Sequence, residues 1–104
     1  MPPKKERLTK KDFSELTKKT TLRTRLFDVV YTPSPTHKVG CVVLKKRTPK
    51  AVDRNKIKRK IYHGYRETKP KNTYTIIFYP KNESLRTPQQ TIVKEMKELF
   101  ATLH

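Results

Sequence analysis

The chain has few of the residues on which protein chemistry most often depends. Its 104 residues include one cysteine, two glycines, no tryptophan and nine acidic residues. A single cysteine, Cys41, excludes an intramolecular disulfide and argues against a thiolate metal cluster, so we expect it to be a buried core thiol. Gly40 and Gly64 stand alone, which argues against a glycine-rich phosphate-binding loop.

The acidic residues and histidines are scattered along the chain. No two carboxylates have the spacing of a two-metal nuclease, and no Ser/His/Asp or Cys/His arrangement appears. We therefore expect no catalytic residues, no metal site and no small-molecule substrate.

Long apolar runs are also absent. No segment approaches the roughly 20 apolar residues of a membrane span, and the basic segment Met1 to Arg7 has no apolar stretch behind it. Lys and Arg occur in every segment, whereas a membrane-surface helix would concentrate them opposite one apolar face. The sequence predicts a cytoplasmic protein without a membrane partner.

Positive charge is what the chain has in excess. Its 26 Lys and Arg residues against nine acidic residues give a formal net charge of +17. So many like charges on a small domain repel one another unless a polyanion neutralises them. Nucleic acid is therefore the expected partner.

The pattern of apolar residues predicts an α+β fold. We expect residues 1–7 to be a flexible basic segment and residues 8–104 to form one domain, which its charge marks as RNA-binding. The predicted order is α-β-β-α-β-α, with room for one extra short strand, on a small sheet covered by helices on one or both faces. We expect the first two strands to form an antiparallel pair joined by a tight loop. The elements are a helix from Thr9 to about Lys19, strands at 26–32 and 39–44, a helix from Pro49 capped by Thr48, a strand at 74–79, and a helix from Pro88 capped by Thr87.

The helix after Pro49 is the most basic segment. Ile57, Ile61 and Tyr65 repeat every fourth residue and are expected to face the sheet. At roughly 100° per residue, a polar ridge of about 140° flanks this stripe. We expect Lys60, like Lys56, to point toward solvent and to add to the diffuse positive electrostatic field more than to specific contacts. The candidate RNA-binding residues of the helix and the loop before it are Lys45, Lys46, Lys50, Arg54, Asn55, Lys56, Lys58, Arg59 and Tyr62.

This segment resembles a known signature. The run from Lys50 to Arg59, Lys-Ala-Val-Asp-Arg-Asn-Lys-Ile-Lys-Arg, is similar to the signature helix of the bacterial ribonuclease P protein component. Leu8 to Phe13 resembles that family's opening motif, and Val39 to Lys46 its glycine-containing strand ending in paired lysines. The resemblance extends from about Arg7 to the C-terminus.

The resemblance implies a parallel strand pair joined by a left-handed crossover. It also implies that an RNA subunit, with bound Mg²⁺, removes the 5′ leader of precursor tRNA, while the protein contacts both RNAs. The signature helix would face the catalytic RNA. The leader would lie in a cleft of the first helix and the sheet, where Phe13 matches an aromatic. Tyr31 is a second candidate, although strand alternation places it opposite the family's usual aromatic position.

Four positions depart from the family pattern. Lys56 replaces an arginine, Leu44 a serine, Pro49 a glycine, and Thr17 a second cleft aromatic. One alternative is a ribosomal RNA-binding protein or ribosome assembly factor, because small basic α+β domains bind ribosomal RNA with the same residue types. A second is an autonomous ribonuclease, which would predict RNA cleavage by the protein alone, and a third is a DNA-compacting protein.

Overall fold

A four-stranded mixed sheet and two α-helices form the described part of the chain. The computed structural model describes residues 20–70 and 72–102. The helix predicted from Thr9, with Phe13 and Thr17, lies outside these residues. The elements are β1 (Thr20–Arg23), β2 (Phe27–Pro33), β3 (Lys38–Cys41), α1 (Ala51–Thr68), β4 (Tyr74–Pro80), a 3-10 helix (Asn82–Leu85) and α2 (Gln89–Ala101).

The sheet has the strand order β1-β2-β4-β3. β2 is antiparallel to both β1 and β4, whereas β3 is parallel to β4 and connected to it through α1. The parallel pair implied by the resemblance is therefore present, and the α+β prediction is confirmed. β1 is the extra short strand for which the prediction left room.

The predicted antiparallel pairing of the strands at 26–32 and 39–44, which correspond to β2 and β3, is wrong. β4 lies between β2 and β3, so these two strands do not pair. Residues Tyr74 to Phe78 of β4 are all buried, and a strand covered on both faces belongs at the centre of a sheet. The turn after β2 bonds toward β4, because the backbone N–H of Ser34 donates to the carbonyl of Thr73 at 3.2 Å.

One core lies between the sheet and both helices. The predicted stripe of Ile57, Ile61 and Tyr65 is buried, as are Ile92 and Met96 of α2. Three ring pairs in T-shaped geometry join Phe78 of β4 to other buried aromatics. The apolar periodicity therefore identified the correct inner face of α1.

The predicted helix caps are wrong. Helix α1 begins after Lys50 and α2 after Pro88, and neither has a side-chain cap. Thr48 instead donates its hydroxyl to Asn82 Oδ1 at 3.1 Å, and Thr87 donates to the carbonyl of Glu83 at 2.8 Å. The predicted strand 39–44 is also shorter than expected, ending at Cys41.

Gly64 is the point at which α1 and α2 approach closely. A Cβ atom added at Gly64 would lie 2.8 Å from Met96 Sδ and 3.4 Å from Ile92 Cγ2. Glycine lowers helix propensity, and here its lack of a side chain gives α2 room to pack against α1.

Candidate nucleic-acid interface

The segment between β3 and α1, residues 42–50, forms a tight turn that we call the basic loop. The backbone N–H groups of Arg47 and Thr48 both donate to the carbonyl of Leu44 at 3.0 Å. The side chain of Thr48 is buried and bonds Asn82. These bonds fix the loop relative to the end of β4 and the 3-10 helix.

Arg47 of the basic loop reaches the sheet. Its Nη2 donates to Asp28 Oδ2 on β2 at 3.2 Å, and its Nη1 donates to the carbonyl of Tyr79 on β4 at 3.1 Å. Lys81 Nζ lies 3.8 Å from the other carboxylate oxygen of Asp28. Sequence reasoning missed Arg47, because its partners are 19 and 32 residues away along the chain.

Arg54 also bonds the basic loop. Its Nη1 donates to the carbonyl of Thr48 at 3.0 Å and to that of Pro49. Part of this guanidinium therefore holds the loop against the first turn of α1, and its remaining N–H groups are available to a ligand.

The other predicted cations of the loop and of the outer side of α1 are exposed. Val52, exposed to 64%, lies one turn before Asn55 and Lys56 on the same side of the helix. Within residues 20–70 and 72–102, no carboxylate pairs with any of these cations. We call the exposed polar set the cationic face: Lys45, Lys46, Lys50, Asn55, Lys56 and Arg59.

Three further residues of α1, Lys58, Lys60 and Tyr62, are not fully exposed and lie outside the cationic face. Lys58 is half-buried and close enough to Cys41 to affect its thiol, and Tyr62 packs against the core with part of its ring accessible. The expectation for Lys60 is wrong. Its ammonium donates to the carbonyls of Ser84, Leu85 and Thr87 at 3.3, 2.8 and 2.9 Å.

Of the two predicted leader-binding residues, the described structure contains Tyr31 alone. Phe13 lies outside the described residues. Tyr31 is half-buried on the helix-covered face of the sheet, with its ring 5.6 Å from that of Tyr74. On the opposite face, the alternation of β4 places Thr75, Ile77 and Tyr79. Sequence reasoning missed Tyr79, although the same alternation applied to residues 74–79 would have identified its face.

The described residues offer little for covalent or metal chemistry. Burial raises the pKa of Cys41 to about 12, an effect that the positive charge of Lys58 partly offsets. Cys41 is therefore a neutral thiol near neutral pH and a poor nucleophile. Between residues 20 and 102, position 71 excepted, no group of three His, Cys, Asp or Glu side chains is suited to a metal ion. Neither described helix is long and apolar enough to cross a membrane.

Comparison with known proteins assigns a family. A family model described as Ribonuclease P matches residues 1–104, the whole chain. The chain belongs to the ribonuclease P protein family. The sequence resemblance is thereby confirmed, and family membership supports a role as the protein subunit of ribonuclease P in tRNA processing, in partnership with ribonuclease P RNA.

Solved ribonuclease P proteins share the fold. The ribonuclease P protein of Thermotoga maritima is 22% identical, with a TM-score of 0.80 over 95% of this chain and 98% of that chain. The Staphylococcus aureus ribonuclease P protein is 22% identical, with a TM-score of 0.75 over 92% and 93%. No curated protein sequence matches the chain.

Proposed function

We propose that the chain binds the catalytic RNA of ribonuclease P through the cationic face. The observation that carries this proposal is that Lys45, Lys46, Lys50, Lys56 and Arg59 are exposed without a carboxylate partner among the described residues. Each cation that neutralises a phosphate releases counterions, which favours binding. Asn55 adds a donor and an acceptor for sugar or base edges on the same surface.

The single-stranded leader of precursor tRNA is the second proposed ligand. We place it at the sheet face opposite the two helices, near the end of β4, where Tyr79 is half-buried and offers a ring for base stacking while Thr75 and Ile77 of the same face are buried. Phe13 stays a predicted member of this cleft. Tyr31 packs toward the helices and is not included.

The protein's contribution to catalysis is indirect. Its cations reduce repulsion between two polyanions, and its cleft positions the substrate on the RNA. The described residues do not form a carboxylate set that fits Mg²⁺. We propose that the RNA subunit holds the Mg²⁺ of the reaction, and that the particle acts in the cytoplasm as an endoribonuclease.

The leader proposal predicts the effect of a Tyr79→Ala variant. Base stacking on an aromatic ring contributes about 1–3 kcal/mol, so we expect the preference of the reconstituted holoenzyme for precursor over mature tRNA to fall about fivefold or more. Affinity for mature tRNA should change little, because that substrate lacks the leader. Equilibrium binding of both tRNAs to wild-type and variant holoenzyme measures the ratio.

Tyr31→Ala is the matched control, because it removes a half-buried tyrosine from the opposite face of the neighbouring strand. It should lower stability and leave the precursor-to-mature ratio unchanged at a temperature at which the protein is folded. An unchanged ratio in Tyr79→Ala would contradict the assignment of the leader to this ring. Tight binding of ribosomal RNA without any preference for ribonuclease P RNA would favour the ribosomal alternative.

A further inference from the structure

An acidic side chain of β2 is bonded to the basic loop. Asp28, whose side chain is 20% exposed, accepts a hydrogen bond from Arg47 and lies within ion-pair distance of Lys81. Lys81 in turn donates to the carbonyl of Thr24 at 2.9 Å. A carboxylate close to a phosphate-binding surface opposes RNA binding by repulsion. Asp28 is bonded to Arg47, the neighbour of Lys46 in the chain, so its presence next to the basic loop calls for a compensating role.

The geometry of Arg47 supplies that role. Its two terminal nitrogens bond two different strands, one through the Asp28 carboxylate and one through the carbonyl of Tyr79. The side chain is 33% exposed, so most of it is already covered by the sheet. These bonds take two of the five N–H donors and hold the guanidinium against the sheet, whereas the ammonium groups of Lys45 and Lys46 are exposed.

The other attachments of the basic loop lie toward its two ends. The backbone N–H of Val42 donates to the carbonyl of Phe78 at 2.9 Å and Val43 is buried in the core, while Thr48 bonds Asn82 and Arg54 of α1 bonds the carbonyls of Thr48 and Pro49. Among the described residues, none of these contacts involves Lys45 or Lys46. The Arg47–Asp28 pair is thus the charged link between this loop and the centre of the sheet. Without it, the loop around Lys45 and Lys46 would have greater freedom to move, and ordering it on RNA would cost conformational entropy.

We propose that the Arg47–Asp28 pair positions the basic loop for the catalytic RNA, so that an acidic residue strengthens RNA binding. The inference rests on the proposed function. Arg47 acts as a positioning residue, and Lys45 and Lys46 make the contacts.

The Asp28→Asn substitution has two opposite expected effects on RNA affinity, one from its charge and one from the loss of the ion pair. Asp28→Asn raises the formal net charge from +17 to +18, which by simple electrostatics tightens RNA binding. Because Lys45 and Lys46 would lose their fixed position, we expect instead about five- to tenfold weaker binding of ribonuclease P RNA, the scale of one lost phosphate contact. Equilibrium binding at fixed salt measures the change.

Arg47→Lys is the charge-preserving companion variant. One ammonium group cannot reproduce the planar fork that bonds Asp28 and Tyr79, so we expect a loss of similar size. The double variant should bind no more weakly than either single variant, because both break the same link. A direct phosphate contact by Arg47 predicts instead that Arg47→Lys changes affinity little.

Glu67→Gln is the matched control, since it makes the same charge change at an exposed position of α1 away from the pair. It should bind RNA as tightly as wild type or slightly more tightly. Hydrogen exchange of the Arg47 and Thr48 amides, which bond Leu44, provides a second readout and should accelerate in Asp28→Asn and Arg47→Lys. All variants are compared at a temperature at which thermal unfolding shows each to be folded.

The outcomes separate this inference from the proposed function. If wild-type protein binds ribonuclease P RNA and Asp28→Asn binds it equally or more tightly, the positioning role is overturned and the proposed function stands. Unchanged amide exchange in both variants would also overturn it. If wild-type protein does not bind ribonuclease P RNA, the proposed function itself fails and the inference fails with it.

Discussion

Replacing Lys56 and Arg59 together by alanine should weaken binding of ribonuclease P RNA about 10- to 100-fold at about 0.15 M salt. Both side chains are exposed on the outer side of α1 and have no acidic partner among the described residues. Their loss should also make the slope of log affinity against log salt shallower by about 1.5 to 2, because two phosphate contacts disappear. Binding titrations over a series of salt concentrations measure both quantities.

A control for net charge uses Lys94 and Lys97, two exposed lysines of α2. Lys94→Ala with Lys97→Ala removes the same charge from another helix and should change RNA affinity by about twofold at most. The free energy of unfolding of the Lys56→Ala with Arg59→Ala variant should lie within about 0.5 kcal/mol of the wild-type value, because substitutions at exposed positions perturb the fold little. Equal losses in the two double variants would mean that only total charge matters. Arg54 is left intact because it also holds the basic loop.

Lys60→Met should lower the free energy of unfolding by about 2–3 kcal/mol, because three carbonyls lose a charged donor while the apolar stem is kept. Those carbonyls belong to Ser84, Leu85 and Thr87, at the end of the 3-10 helix and the start of the connection to α2. For a domain of this size, the melting temperature should fall by roughly 10–20 °C. Denaturant titration and thermal melts of the free protein measure the effect.

Lys56→Met is the control for Lys60→Met, because it lies one turn earlier on the same helix and is exposed. It should be nearly as stable as wild type and should lose RNA affinity. Lys60→Met should show the reverse, with reduced stability and almost unchanged RNA affinity at a temperature at which it is folded. Wild-type stability in Lys60→Met would contradict the structural role of this lysine.

Local pattern accounts for what the sequence could predict. Apolar periodicity identified Ile57, Ile61 and Tyr65 as the inner stripe of α1, and β-branched and aromatic runs identified β2 and β4. The exposure of Lys56 and Arg59 also follows from local spacing. These features depend on neighbours within one or two helical turns.

The incorrect predictions share one cause, which is that contacts between residues far apart in the chain decide these features. The predicted hairpin failed because β4, which follows α1 in the chain, takes the place between β2 and β3. The solvent role expected of Lys60 failed because its acceptors lie 24 to 27 residues away. Arg47 was missed as a partner of Asp28 for the same reason, and Thr48 was assigned as a helix cap although its hydroxyl bonds Asn82. Such contacts are decided by the packing of distant elements, which single-sequence periodicity does not report.

The most direct test of the central claim is cleavage of 5′-labelled precursor tRNA at low Mg²⁺. Three reactions are compared: the protein alone, a bacterial ribonuclease P RNA alone, and the two together. A protein that binds the catalytic RNA and the leader without catalytic groups of its own predicts no cleavage by the protein, little by the RNA, and strong stimulation in the mixture. Cleavage by the protein alone, or no stimulation with any bacterial ribonuclease P RNA, would contradict the account.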